Sequence, residues 1–261
     1  MRSLRKYFIL ICLLTSLASG VAEAQEGRRV LFQVSTIGAL LEGVFDGDVT
    51  FDEVKRHGDF GIGTFNGLDG EMIGLDGEYY QVRSDGKVYP VEGSAKTPFA
   101  SVVFFHGGQA HRLAEGLDYK NLQTRLDSFL PTRNLIYAIR IRGTFQDLKV
   151  RSVSRQKAPY PALLEATKNQ AVFELQNVAG TMVGFYFPDY MGALNVPGYH
   201  FHFISDDRKA GGHVLDGRAE GLSVEIEPVY AFQMQLSKNP LFYETDLAAK
   251  KLLDLEKAEK G

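Results

Sequence analysis

The feature that most limits the fold is a run of Asp-Gly pairs, Asp69-Gly70, Asp76-Gly77 and Asp85-Gly86, set between short apolar segments. Asp-Gly supplies the positive backbone angles of tight hairpin turns. The segments between them, such as Met72 to Leu75 and Tyr79 to Val82, are too short for helices. A β-meander is therefore expected from Phe60 to Val91. Further strands are expected within Arg28 to Thr36, Ser101 to Phe105, Asn134 to Val150 (one or two), Val172 to Phe187 with a turn at Ala179-Gly180, and Leu222 to Leu236. Helices are few. Thr50 with Glu53 forms a capping box for a short one ended by Gly58, and leucines 122, 126 and 130 give helical spacing over Leu117 to Leu130. Ala162 to Lys168 and the charged Leu241 to Lys260 complete the set. The fold class is thus α/β and strand-rich, with two sheet-based halves of mixed and antiparallel strands. The weakest continuity, Lys149 to Pro161, suggests a 25–155 half and a 156–261 half.

Residues 1–24 read as a secretory leader rather than as fold. Arg2, Arg5 and Lys6 precede an apolar stretch from Tyr7 to Leu17, and Ala22-Glu23-Ala24 suits cleavage after Ala24. The stretch is shorter than the roughly 20 residues of a spanning helix. A soluble exported protein, periplasmic or extracellular, is expected. Its removal takes the only cysteine, Cys12, so any metal site must use His, Asp, Glu and water. It also moves the net charge from −3 to about −5. No basic block remains to favour nucleic acid or a membrane surface.

Half of the six histidines fall in one short stretch. In Tyr199-His200-Phe201-His202-Phe203, His200 and His202 share one face of a strand and the phenylalanines take the other. The turn-rich 205–212 segment can fold back and bring His213 beside them. Three imidazoles with no obvious fourth protein ligand match a catalytic zinc that keeps a position open. The plain alternative is a set of core or surface histidines that merely alternate. Two more places carry charge among apolar neighbours. Glu71 enters a strand, where it is a candidate general acid or base, or an edge charge in solvent. Arg151 is a candidate bidentate clamp for a carboxylate, or part of a solvated strand face. Thr64 would offer a hydroxyl near Glu71. His57 reads as a helix-end or surface residue, and His106 and His111 receive no role.

Taken in order, these segments resemble the bacterial α-acetolactate decarboxylases over nearly the whole chain beyond the leader. The matching stretches are Phe32-Gln33-Val34-Ser35-Thr36-Ile37, His57 to Asn66, Leu68 to Ile73, Arg151-Ser152-Val153 and Pro159-Tyr160-Pro161. The most specific is Leu194 to Ile204, followed by Gly211-Gly212-His213-Val214-Leu215. The resemblance implies a two-domain α/β fold and a zinc on His200, His202 and His213. It also implies Arg151 and Glu71 at the site with Thr64 nearby, and a second glutamate from the tail, matched best by Glu259. The implied reaction takes 2-acetolactate to acetoin and CO2 with no organic cofactor, through a zinc-stabilised enediolate protonated on one face. A small-molecule substrate and a homodimer are the expected partners. A zinc-hydroxide lyase or hydrolase and a metal-binding protein without chemistry are the rival readings.

Overall fold

The computed structural model describes residues 29–114, 116–247 and 257–258. The leader with Cys12, and Glu259, lie outside the described residues. The strands are β1 (Val30–Val34), β2 (Val49–Thr50), β3 (Phe60–Thr64), β4 (Glu71–Leu75), β5 (Glu78–Val82), β6 (Val88–Pro90), β7 (Lys96–Thr97) and β8 (Ala100–Val103). They continue as β9 (Gln109–Leu113), β10 (Leu117–Asp118), β11 (Ile136–Ser152), β12 (Ala171–Phe187), β13 (Gly198–Ser205), β14 (Gly211–Val229) and β15 (Ala231–Gln235). The helices are short: α1 (Ile37–Leu41), α2 (Phe51–Val54), α3 (Tyr119–Asp127), α4 (Leu163–Thr167) and α5 (Pro240–Glu244). Among the described residues no helix is long and apolar enough to cross a membrane.

The meander forms as expected. Strands β3 to β6 lie side by side in a seven-stranded sheet of order β15-β1-β8-β3-β4-β5-β6. Asp76 and Gly77 both take left-handed angles (φ 53° and 84°) at the β4–β5 turn, the geometry a two-residue hairpin loop demands. The sheet is mixed because β15 pairs parallel to β1. Every residue of β3 and β4 is buried, since both faces of the sheet are covered. One face carries Phe32, Phe51, Phe65 and Tyr79; the other carries Leu31, Ile62 and Ile73 against Val183, Phe185 and Ile204 of the second sheet.

The second sheet is antiparallel, of order β10-β14-β11-β12-β13, and β14 also pairs with β13. That extra pairing closes β11, β12, β13 and β14 into a ring around Ile141, Phe145, Met182, Phe201 and Phe203. The sheets do not part at 155/156. β11 precedes that point yet belongs to the second sheet, and β15 follows it yet joins the first.

Three other expectations are corrected. There is no turn at Ala179-Gly180, because β12 runs unbroken through it. Residues Leu117 and Asp118 form a short strand rather than a first helical turn, and the Asp118 side chain caps α3 by accepting from the Asn121 amide. The tail helix over Leu241 to Lys260 reduces, among described residues, to Pro240–Glu244 and helical Lys257 and Ala258.

Arg140 of β11 ties the sheets together. It donates to both carboxylate oxygens of Glu225 (2.7 and 2.9 Å) and to Asp76 in the β4–β5 turn (3.1 Å), and it lies 4.7 Å over the Phe105 ring. The hydrogen bonds from Arg140 hold the Glu225 carboxyl below the usual range. A depressed carboxyl stabilises the fold above its unfolded value and stops doing so as pH falls through its folded one. Arg140→Met should therefore lower the melting temperature at pH 7. The gap to the wild type should close below about pH 4, as thermal scans across pH would show.

Candidate metal centre and active site

His200 and His202 stand on β13 and His213 on β14. The strict two-residue period of a strand sends both β13 histidines to one face, while Phe201 and Phe203 fill the ring. The hairpin turn is closed by the Ser205 amide on Ala210 O (2.9 Å) and by Ser205 Oγ, which accepts from the Ala210 amide (3.0 Å). This puts His202 directly opposite His213 in the register. The three rings form a near-regular triangle, with centroids 4.8 to 5.3 Å apart. Their ligand nitrogens fall within 4.8 Å of one another, and all three residues are buried.

The donor set suits a cation. The Met72 carbonyl accepts from His202 Nδ1 at 2.8 Å, which leaves the Nε2 lone pair free to face the centre. Nε2 of His200 and Nδ1 of His213 approach to 3.0 Å. Burial, with the Arg151 guanidinium nearby, pushes His200 down to about 3. Burial and neighbouring His200 carry His202 well below its ordinary value. Neutral imidazoles sharing one point are what metal ligation requires.

The first sheet supplies the carboxylate and the second the guanidinium. Glu71 opens β4 opposite Thr64 of β3, and Arg151 on β11 lies opposite His213. Arg151 Nη1 donates to Glu71 Oε1 at 3.1 Å, with both side chains buried, and Glu71 Oε2 lies 3.5 Å from His202 Nε2. Neither the edge-strand nor the solvated-face alternative holds. Thr64 Oγ1 donates to the Gly70 carbonyl at 2.7 Å, so what it offers the cavity is its lone pairs. Of the expected site residues, these six are brought together around one cavity of about 30 Å³. Glu259 lies outside the described residues; its neighbour Ala258 is buried, with its carbonyl 3.4 Å from Arg151 Nη2. A larger cleft of about 460 Å³ between α3 and the start of β13 also reaches His200 and His213. It is not lined by Glu71 or Arg151, so the chemistry converges in the small cavity.

The other histidines have structural uses. His57 stacks on Phe32 (3.8 Å) and His111 on Phe129 (3.9 Å), while the His106 amide donates to Glu227.

Asn195, which the sequence places in the Leu194 to Ile204 stretch without assigning it a role, anchors the histidine hairpin to the first sheet. Its amide donates to Gln33 Oε1 (2.7 Å) and Ser101 Oγ (2.9 Å), and its carbonyl accepts from the Val196 amide (2.8 Å). The whole group is buried. Asn195→Ala strands those partners in the interior, where an unmet polar group costs about 1–3 kcal/mol. The expected loss is about 2–4 kcal/mol by urea denaturation, with a weaker hold on metal.

Fold and centre together define an enzyme built around a buried three-histidine site, backed by a paired guanidinium and carboxylate. A family model described as alpha-acetolactate decarboxylase matches residues 31–249. The chain is 49% identical over 231 residues to the alpha-acetolactate decarboxylase of Methanosarcina mazei, covering 88% of this chain and 80% of that one. The crystal structure of the Bacillus subtilis strain 168 alpha-acetolactate decarboxylase superposes with a TM-score of 0.87 at 42% identity, covering 88% of this chain and 99% of that one. A Staphylococcus aureus protein described as similar to that enzyme superposes at 0.81 with 32% identity, covering 88% of this chain and all of that one. This chain belongs to the alpha-acetolactate decarboxylase family.

Proposed function

We propose that this protein converts 2-acetolactate to acetoin and CO2, with zinc held by His200, His202 and His213. The observation that carries the reading is the convergence of these histidines with Glu71 and Arg151 in one buried cavity, in a chain of this family. When bound, zinc supplies Lewis acidity toward the substrate's hydroxyl and ketone oxygens.

The residues of the chain do the rest. Arg151 presents a fork that orients the substrate carboxylate. Its charge is already shared with Glu71, so its hold is positional. An undivided guanidinium would stabilise the ground-state carboxylate and slow the loss of CO2. As the bond to the carboxyl carbon breaks, its electron pair moves into the adjacent ketone, giving an enediolate. The substrate carboxylate, brought in beside the Arg151–Glu71 pair, makes Glu71 take up a proton from solvent. Oε2 of Glu71, which faces His202, then delivers that proton to the carbon that lost CO2. Delivery from one fixed side sets the chirality of acetoin and returns Glu71 to the carboxylate. Thr64 accepts a hydrogen bond from the substrate hydroxyl and keeps it in register. Glu259 is the second candidate donor, supported by the position of Ala258 at Arg151.

The basic and apolar leader and its small-residue cleavage site support export of the enzyme. The test of the function is acetoin release from racemic 2-acetolactate by the leaderless protein, before and after zinc removal, resolved on a chiral column. One enantiomer, lost on chelation and restored by zinc, is expected; no turnover by the zinc-loaded protein refutes the reading. Glu71→Gln should lower turnover by about 10²–10⁴-fold and erode the enantiomeric excess. If both survive, the proton comes from elsewhere, and Glu259→Gln is the next variant to assay.

A further inference from the structure

We propose that the apolar wall made by α1 and α4, with Ile37, Leu40 and Leu163 at its face, sets the largest alkyl group a substrate can carry on the carbon that loses CO2. The inference rests on the decarboxylase reading and adds the selection of substrate size. The cavity lining is of two kinds: polar, from Thr64, Glu71, Arg151 and the histidines, and apolar, from Ile37, Leu40, Leu68, Phe99, Val153 and Leu163, the latter all members of one buried cluster. Every one of these apolar residues is at most 5% exposed.

A 2-hydroxy-3-oxo acid carries a carboxylate, a hydroxyl and a ketone, and the polar lining has a partner for each. Its alkyl groups are then left to the apolar lining, where burial favours them. Ile37 and Leu40 lie three residues apart on one side of α1, and Leu163 is the first residue of α4. The two helices meet, and their side chains belong to one buried cluster with Phe45, Val153 and Ala166. α1 is fixed at its start by Thr36, whose Oγ1 accepts from the Ala39 amide at 3.1 Å. The wall residues are buried and packed into one cluster, and a wall packed like a molecular crystal yields little to an added methylene. One methylene too many in such a pocket discriminates by about 10–200-fold.

The test is a size series, 2-acetolactate and its 2-ethyl and 2-propyl homologues, read as kcat/KM for zinc-loaded wild type, Leu40→Ala and Leu163→Ala. The first homologue that the wild type uses poorly should gain about tenfold or more relative to 2-acetolactate. Leu41→Ala is the control: Leu41 sits in the same buried cluster but does not line the cavity. It should lower stability without shifting the ratio. Leu163→Val gives a milder enlargement if the alanine variants do not fold. Calorimetric binding of non-decarboxylating 2-hydroxy-2-alkylbutanoates of the same series should show the same shift. Unchanged ratios and affinities in folded Leu40 and Leu163 variants, or an equal shift in Leu41→Ala, overturn the proposal. Failure of the wild type to turn over 2-acetolactate refutes the decarboxylase reading instead, because the binding series still reports the size limit.

Discussion

His202→Ala should yield a folded protein that retains almost no metal after dialysis and has lost essentially all acetoin formation. Loss of an outer partner to a metal ligand alone costs about 10–100-fold in affinity or activity. Removing a ligand should exceed that range. His202 is also firmly supported. It stands opposite His213 in the hairpin register, and the Met72 carbonyl of the first sheet fixes its ring. The substitution thus removes a candidate ligand and a link between the sheets at once, and a fall in melting temperature should accompany the expected loss of metal. His57→Ala, which removes a ring stacked on Phe32, neither residue lining the cavity, should keep its metal. Elemental analysis of both variants decides the matter. Full metal occupancy in folded His202→Ala would remove His202 from the ligand set.

Why His200 and His202 were legible while their surroundings were not follows from the range of each constraint. Strand alternation is local and strict, so two histidines flanked by phenylalanines declare their common face before any fold is known. The Asp-Gly turns are equally local, and the β4–β5 turn has the angles they require. Arg151 is different. It lies opposite His213 only after the β11–β14 register has shifted, the last shift falling between Lys149 and Val150, and a bulge of that kind leaves no reliable mark in sequence. The same holds for β15, whose parallel place beside β1 joins the two ends of the described fold. At Gly180 the local signal misled. The glycine reads as a turn, but a Cβ there would lie 2.5 Å from the Phe203 ring. The position is small so that β13 can approach, and the chain does not bend. Asn195 lies in the matching Leu194 to Ile204 stretch, but its use depends on buried partners on β1 and β8 that only the folded sheet brings to it.

Arg151→Lys should cut turnover by far more than a charge-conserving exchange suggests. The guanidinium serves two directions at once: Nη1 donates to Glu71 (3.1 Å) and Nη2 lies 3.4 Å from the Ala258 carbonyl. It does so from a strand position with only 4% of its side chain exposed. A lysine ammonium is a compact, strongly hydrated point charge. It can hold Glu71, but it lacks the planar fork that could also orient a substrate carboxylate. Misplacing that carboxylate by about 1 Å is enough to cost roughly 100-fold, and a loss of that order in kcat/KM is expected. Stability should fall less, because the buried carboxylate keeps a cation. Arg151→Met should be worse on both counts, since stripping one partner from a buried ion pair costs about 3–5 kcal/mol. Adding Glu71→Gln to Arg151→Met should recover much of that stability and none of the turnover. This separates the structural cost of a stranded charge from the chemical cost of a lost clamp. Near-normal turnover in Arg151→Lys, measured alongside unchanged metal content, would show that the carboxylate is oriented by some other group.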